Sequence, residues 1–424
     1  MTGLESGLLA NYKAYYPSQY VPNLSDRDEL ALAIQAARQF NLTFRLTFGV
    51  LYKAPNSTLW VKRAYPNGTL FDYEWLDPTN PQARQHVLNL VREVVTNYDF
   101  DELTLDYIRY DDADMPYTES ARQQFEEYLN ETITDWPGPF APQGERWGEF
   151  LEWRMIPINT LVKEIYDLAK SIKPKIKVGA AIRWWVGHPK WQLWTVGQDP
   201  TAWIKDGYLD VLRPMIYKPN YKDFEIAINA YMNYAVAGPE GAVPVIPYLS
   251  MHPDYNNGNP IPPENFSEQV SWIRSLGCDG FTYCAYGGEG DNPNNPDPLP
   301  DIGNYLNLVS LPKTWKLSNI TLHFLNETSV KITWQTTKPA TSKVEYNTSS
   351  LFNASYEYVG TVGSYPGIHY WDVNYFPGIT VENTTLRTNH EILLTNLKKG
   401  ILHFRVQSED SIGIVTSRVY EFKL

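Results

Sequence analysis

The sequence predicts an α/β chain: a (β/α) barrel of the TIM type over residues 1–312, followed by an all-β sandwich over 313–424. Three observations predict it. Up to about residue 310, apolar strand-like runs alternate with amphipathic helical ones, the pattern of a parallel sheet covered by helices on both faces. From about residue 316 the helical periodicity stops and about seven short strands follow, the spacing of a sandwich. At 424 residues the chain is also too long for one ordinary domain.

The elements follow in order. "DRDELALAIQAARQF" (26–40) carries apolar residues at helical spacing, with Ser25 as N-cap and Asp28 three residues on. "TFRLTFGVL" (43–51) reads as a strand, "NPQARQHVLNLVREVVTNY" (80–98) as a helix and "ELTLDYI" (102–108) as the next strand. "GERWGEFLEWRMIPINTLVKEIYDLAKSIKP" (144–174) is helical, with Pro157 set to kink or interrupt it. "KIKVGAAIRW" (175–184), "DVLRPMIY" (210–217), "AVPVIPYLS" (242–250) and "DGFTYCAYG" (279–287) bring the barrel strands to six, with helices near 222–236 and 265–276 among them. After the loop "YGGEGDNPNNPDPLP" (286–300) come the short strands "SNITLHFLN", "SVKITWQT", "TSKVEYNT", "YEYVGTV", "HEILLTNL", "ILHFRVQSED" and "RVYEFKL".

Composition narrows the function classes. With 14 Trp and 30 Tyr, some aromatics remain for a surface, where their faces suit the C–H faces of sugars. A net charge of −12 argues against nucleic acid and against an anionic membrane surface, since no basic stripe exists to meet phosphates. No apolar run is long enough to span a bilayer. Cys278 and Cys284 exclude a disulfide framework. The strand between them holds the two apart, so two free thiols, neither catalytic, are expected. No signal peptide is visible at the start. Yet eleven Asn-x-Ser/Thr sequons, at Asn23, Asn41, Asn56, Asn67, Asn130, Asn265, Asn319, Asn326, Asn347, Asn353 and Asn383, predict an exported N-glycosylated protein, extracellular or at the cell surface. Its signal would be removed or lie upstream of this chain. No Walker loop, dinucleotide fingerprint or HExxH motif occurs. Neither a cofactor nor a metal is expected, "GDNPNNPDP" having oxygen ligands for Ca²⁺ but no closing Glu.

At "YDFDELTLDYIRY" (98–110) the chain resembles a group of TIM-barrel glycosyl-hydrolase-like proteins that includes bacterial peptidoglycan-glycan hydrolases. Their signature strand reads YD-(V/F)-D-(G/E)-I-x-(L/F)-D-Y-(I/V)-R-(Y/F)-P. "YPSQYVP", "LALAIQAARQF", "FRLTFGVL", "LDPTNPQARQHVLNLVREVV", "WRMIPINTLVKEI", "VLRPMIY" and "GFTYCAY" match further pieces in order, over roughly residues 15–310. The signature ends in Pro where this chain has Asp111. The family has two βα units before the "YPS" segment, and only about 15 residues precede it here. The resemblance therefore implies a barrel lacking its first one or two βα units: truncated, completed from elsewhere, or open, with exposed strand edges. The C-terminal part resembles fibronectin type III. "VKITWQTTKPATSKVEYNTS" matches the B–C region and "HEILLTNLKKGILHFRVQSEDSIG" the E–F region, with His403 where that family has its tyrosine-corner Tyr.

Barrel enzymes gather catalytic groups at the C-terminal ends of strands. Asp106 lies near such an end, and glycoside hydrolysis uses two carboxylates, an acid and a nucleophile or base. Arg109, three residues on, suits Asp106 to the nucleophile or charge-stabilising role; the same pair would equally brace the strand's rim. The second carboxylate is open among Asp111, Asp112, Asp114, Glu74, Glu289 and Asp291, with Glu289 favoured because "AYGGEGD" flanks it with glycines that let a ligand approach the backbone. Tyr110, Arg183 and Tyr217 stand at strand ends, suited to sugar hydroxyls. Trp184, Trp185, Trp191 and Trp194 in "RWWVGHPKWQLW" read as a stacking platform or as a seal over the barrel mouth. The expected function is an exported glycoside hydrolase acting on a polysaccharide or cell-envelope glycan. The rival is a non-catalytic surface glycoprotein that binds glycan or helps build the envelope.

Overall fold

The structure, a computed structural model, describes residues 3–10, 12–53, 56–183, 194–217, 228, 231, 243–250, 262–275, 278–284, 317–347, 357–362, 365–371, 379–410, 414–417 and 420–424. It opens with strand β1 (Gly3–Gly7), which the sequence reading missed, and a small antiparallel pair, β2 (Leu9–Ala10) and β3 (Lys13–Ala14). Helix α1 (Glu29–Gln39) is capped by Asp28, whose carboxylate accepts the Ala31 N–H at 2.9 Å, rather than by Ser25. Strand β4 (Thr43–Gly49) leads into an antiparallel hairpin, β5 (Trp60–Ala64) and β6 (Leu70–Leu76). Helix α2 (Pro81–Asn97) starts on an Asn80 cap with proline in its first position, where no N–H is needed.

Strand β7 (Glu102–Asp106) is buried along both faces, as a strand inside a parallel sheet must be. It ends two residues earlier than its apolar pattern suggests, because Tyr107 turns to φ 49°. Helices α3 (Glu119–Leu129), α4 (Trp147–Trp153) and α5 (Met155–Ile172) follow. The helical run breaks at Arg154, ahead of Pro157, which falls in the first turn of α5 where it is tolerated. Then come β8 (Lys177–Arg183), α6 (Pro200–Lys205), β9 (Val211–Ile216), β10 (Tyr248–Ser250), α7 (Pro263–Ser275) and β11 (Thr282–Cys284). The helix expected near 222–236 lies almost wholly outside the described residues.

Contacts divide the chain into two units: Met1–Ile182, His188–Val211 and Glu357–Trp371 in one, Arg183–Gly187, Leu212–Tyr356 and Asp372–Leu424 in the other. In the first, β1, β4, β7 and β8 run parallel in chain order, with Gly3 opposite Thr43, Gly49 opposite Asp106 and Leu105 opposite Ala180. Val87, Leu90, Val91 and Val94 of α2 are buried, as are Leu161, Val162 and Ile165 of α5, and the two helices pack together. In the second, β9, β10 and β11 are again parallel and in chain order. The described parallel strands number seven, not six. No helix among the described residues is long and apolar enough to cross a membrane. Cys278 forms no disulfide.

The C-terminal part is all-β. It comprises β12 (Leu317–Asn326), β13 (Ser329–Asn347), β14 (Glu357–Val362), β15 (Tyr365–Trp371), β16 (Ile379–Leu394), β17 (Ile401–Glu409), β18 (Ile414–Thr416) and β19 (Tyr420–Lys423). "SVKITWQT" and "TSKVEYNT", read as two strands, are one bulged strand, β13. Six strands make a single antiparallel sheet, and β14 and β15 pair separately. Of the expected fibronectin-like sandwich, the described residues show an all-β sheet. Trp334, Val344, Leu394, Phe404 and Val406 form its buried core.

Candidate active site

Asp106 closes β7 at its C-terminal end, the end at which a parallel βα fold collects chemistry. Its Oδ1 accepts the Tyr107 N–H at 2.6 Å and the Arg109 guanidinium at 3.1 Å. Among the described residues Oδ2 takes no hydrogen bond. The side chain is 22% exposed, so the carboxylate is held by one oxygen and open at the other. Such a group can capture or stabilise a developing positive centre.

The backbone beside it is strained. A tyrosine at φ 49° costs about 1–3 kcal/mol and persists only where its surroundings enforce it. Here the Tyr107 ring lies 4.6 Å from that of Tyr52 and 5.6 Å from that of Trp75, and the Arg109 guanidinium sits over it at 4.3 Å. The Trp75 indole N–H donates to the Arg109 carbonyl at 2.9 Å. Opposite Asp106, Gly49 leads to Tyr52, whose exposed ring flanks the site.

The carboxylates that follow are gathered differently. Arg63 of β5 holds Asp114 through two bonds of 2.9 Å to Nε and lies 3.8 Å from Asp111 and 4.0 Å from Asp112. Burial works against the Arg63 charge, but the Asp114 hydrogen bond together with the charges of Asp114 and Asp112 more than offsets it, so its pKa rises above the usual range. Asp114 is buried, and Asp111, the most exposed of the three, accepts the Tyr73 hydroxyl at 2.7 Å. Burial, then that bond, pushes Tyr73 up to about 12. Glu74 is exposed on the face of β6 opposite Tyr73 and Trp75, because successive strand residues point to opposite sides.

Behind this loop, Arg154 is fully buried. It donates to the Asp112 carbonyl at 2.6 Å and the Thr195 carbonyl at 3.3 Å and lies over the Tyr110 ring at 4.3 Å. Burial lowers its pKa, as it raises that of Tyr110. Tyr110 therefore lies in the core rather than at the rim. Gly197, at φ 71°, passes so close to it that a Cβ there would stand 2.9 Å from the ring.

Of the residues expected in the site, Asp106 and Arg109 come together as expected. Arg183 ends β8, half-buried, its carbonyl accepting the Tyr231 hydroxyl at 2.7 Å, and Tyr217 directly follows β9. Glu289, Asp291, Trp184, Trp185 and Trp191 lie outside the described residues. Tyr52, Tyr107, Trp75, Arg63 and Arg154 were missed. The alternation in "LFDYEWL", with every second residue aromatic, was the available signal for the hairpin's part.

A family model described as glycosyl hydrolase-like 10 matches residues 11–236. An S-layer-related protein of Niallia circulans is 26% identical over 161 residues, covering 35% of this chain and 10% of that protein. Glycosyl hydrolase YngK of Bacillus subtilis is 25% identical over 248 residues, covering 48% of this chain and 43% of that protein. The chain thus spans less than half the length of these relatives. Among solved structures, the PgaB (BpsB) glycoside hydrolase domain from Bordetella bronchiseptica aligns with a TM-score of 0.53 at 14% identity, over 67% of this chain and 84% of that one. That likeness is one of fold.

Proposed function

The chain belongs to the glycosyl hydrolase-like 10 family, and from that premise we propose that it is an exported glycoside hydrolase cleaving a polysaccharide or cell-envelope glycan at Asp106. Family and fold support glycosidase-type chemistry. The observation that carries the reading is the state of Asp106: one oxygen is pinned by Arg109 and a backbone N–H, and the other takes no hydrogen bond among the described residues, while the exposed Tyr52 ring packs against Tyr107, the next residue. Sugar C–H faces stack on such rings. Asp106 then serves as nucleophile or charge stabiliser, while a protonated carboxylate, Glu289 in this proposal, gives its proton to the leaving oxygen. Arg183, Trp184, Trp185 and Tyr217 bind flanking sugars. Assay of reducing-end release from purified glycans, wild type against Asp106→Asn, tests this. Loss of turnover without loss of melting temperature supports it, and near-wild-type turnover sinks it.

The Niallia relative and the eleven sequons favour a second reading, a non-catalytic surface glycoprotein of the cell envelope. Glycan binding by the wild type with no hydrolysis on any glycan would select it.

A further inference from the structure

Trp75 of β6 is tied to the stretch after β4, which is itself tied to Asp106. Trp75 bridges Tyr52, and the Leu76 N–H donates to the Leu51 carbonyl at 3.0 Å. From the same stretch, Val50 donates to the Asp106 carbonyl at 2.8 Å and Leu51 to the Tyr107 carbonyl at 3.2 Å. On this frame Trp75, only 3% exposed, meets the Tyr107 ring edge-on at 5.6 Å, and its indole N–H donates to the Arg109 carbonyl at 2.9 Å. An indole suits the place, being a flat apolar body with one donor at its edge. Arg109 has few other anchors. Its guanidinium lies over the Tyr107 ring at 4.3 Å and reaches Asp106 Oδ1 at 3.1 Å. Among the described residues Asp106 is its one ion-pair partner, and its Nε takes no hydrogen bond. A single ion pair poorly offsets the entropy of holding so long a side chain in one geometry.

We propose that Trp75 is a positioning residue for Asp106: by fixing the Arg109 carbonyl and the Tyr107 ring, it keeps the guanidinium on Oδ1 and so leaves Oδ2 to the reaction. The inference rests on the glycoside hydrolase reading above. Trp75 is buried and acts through Arg109 rather than on the sugar. Without the indole N–H, the Arg109 carbonyl loses that donor and turns to find another, drawing the guanidinium off the carboxylate. Asp106 then rotates more freely and holds the orientation for attack less of the time.

Trp75→Phe keeps a ring and deletes the N–H. In its crystal structure, set beside that of the wild type, the Arg109 guanidinium should lie beyond about 4 Å from Asp106, past the limit of an ion pair. On N-acetylhexosamine oligomers, assayed by reducing-end release, kcat should fall about three- to tenfold, the scale of one hydrogen bond, with KM unchanged. Trp203→Phe controls for lost stability alone, since it deletes a buried indole N–H bonded to Asn159 of α5 at 2.7 Å. Its melting temperature should fall comparably and its kcat should not. Arg109 still paired with Asp106 in Trp75→Phe, a wild-type kcat there, or an equal fall of kcat in Trp203→Phe overturns the proposal. If the wild type cleaves none of the oligomers, or Asp106→Asn keeps its turnover, that failure belongs to the hydrolase reading, and the Arg109–Asp106 distance alone decides. Should Trp75→Phe not fold, benzothienylalanine at position 75, of the same shape with sulfur in place of the N–H, is read by the same outcomes.

Discussion

Two polar clusters, one behind Asp106 and one around His390 in the C-terminal sheet, are built on opposite plans. In the sheet, the His390 imidazole stacks on Trp334 with centroids 5.0 Å apart and planes 7° from parallel. Both ring nitrogens meet hydroxyls at 2.8 Å, those of Thr336 and Ser342, and the Trp334 indole N–H donates to Ser408 at 2.9 Å. The Thr336 hydroxyl hydrogen goes to the Lys338 carbonyl at 2.6 Å, so Nε2 donates and Nδ1 accepts from Ser342. This cluster is neutral, closed to water and satisfied. The Asp106 cluster is charged, strained at Tyr107, open at Oδ2 and edged by exposed rings. The difference separates a polar group that specifies packing from one kept available for chemistry.

The largest expected effect breaks the comparison at its functional side. Asp106→Asn should lower kcat about 10²–10³-fold or more, the scale of a lost charge-stabilising group, with an unchanged melting temperature. A fall in melting temperature with activity retained would make Asp106 as structural as His390. Next, Asp114→Ala leaves the Arg63 guanidinium without its buried partner and should cost about 3–5 kcal/mol in denaturant unfolding. A cost below about 1 kcal/mol, the level of surface pairs, would show that water reaches the site.

Ser342→Ala sharpens the other side. It strips the donor from a buried imidazole nitrogen and should cost about 1–3 kcal/mol, with glycan turnover untouched. The smallest effect is set by pH. Burial, and secondarily Arg387, bring the His390 pKa down from 6.5 to about 4. Because the folded form binds its proton less readily than the unfolded one, this stability is complete above pH 6.5, falls between 6.5 and 4 and levels off below. Denaturation midpoints across that window should decline in the wild type more steeply than in His390→Phe, and equal slopes would place the acid sensitivity elsewhere.

The sequence by itself determined what depends on local periodicity. The alternation of strand and helix, the all-β tail, the helix α2 with its Asn80 and Pro81 start, and a carboxylate at the end of β7 are each written within a dozen neighbouring residues. Tertiary structure decided where local preference is overruled or where partners are far apart in the chain. Tyr107 has a strand former's propensity, yet β7 stops before it because Tyr52, Trp75 and Arg109 clamp its ring in a left-handed turn. Asp28 and Ser25 both suit a helix cap, and the Tyr98 hydroxyl, 70 residues away and bonded to Asp28 at 2.8 Å, helps hold the winner in place. The break expected within β13 is absent because β16 pairs along most of its length and β12 and β17 continue it on the other side. Arg63 and Arg154 look like ordinary surface cations in the sequence. Only the folded chain brings one to Asp114 and the other beneath Tyr110, because burying a guanidinium requires carboxylates, carbonyls and ring faces that no single segment supplies.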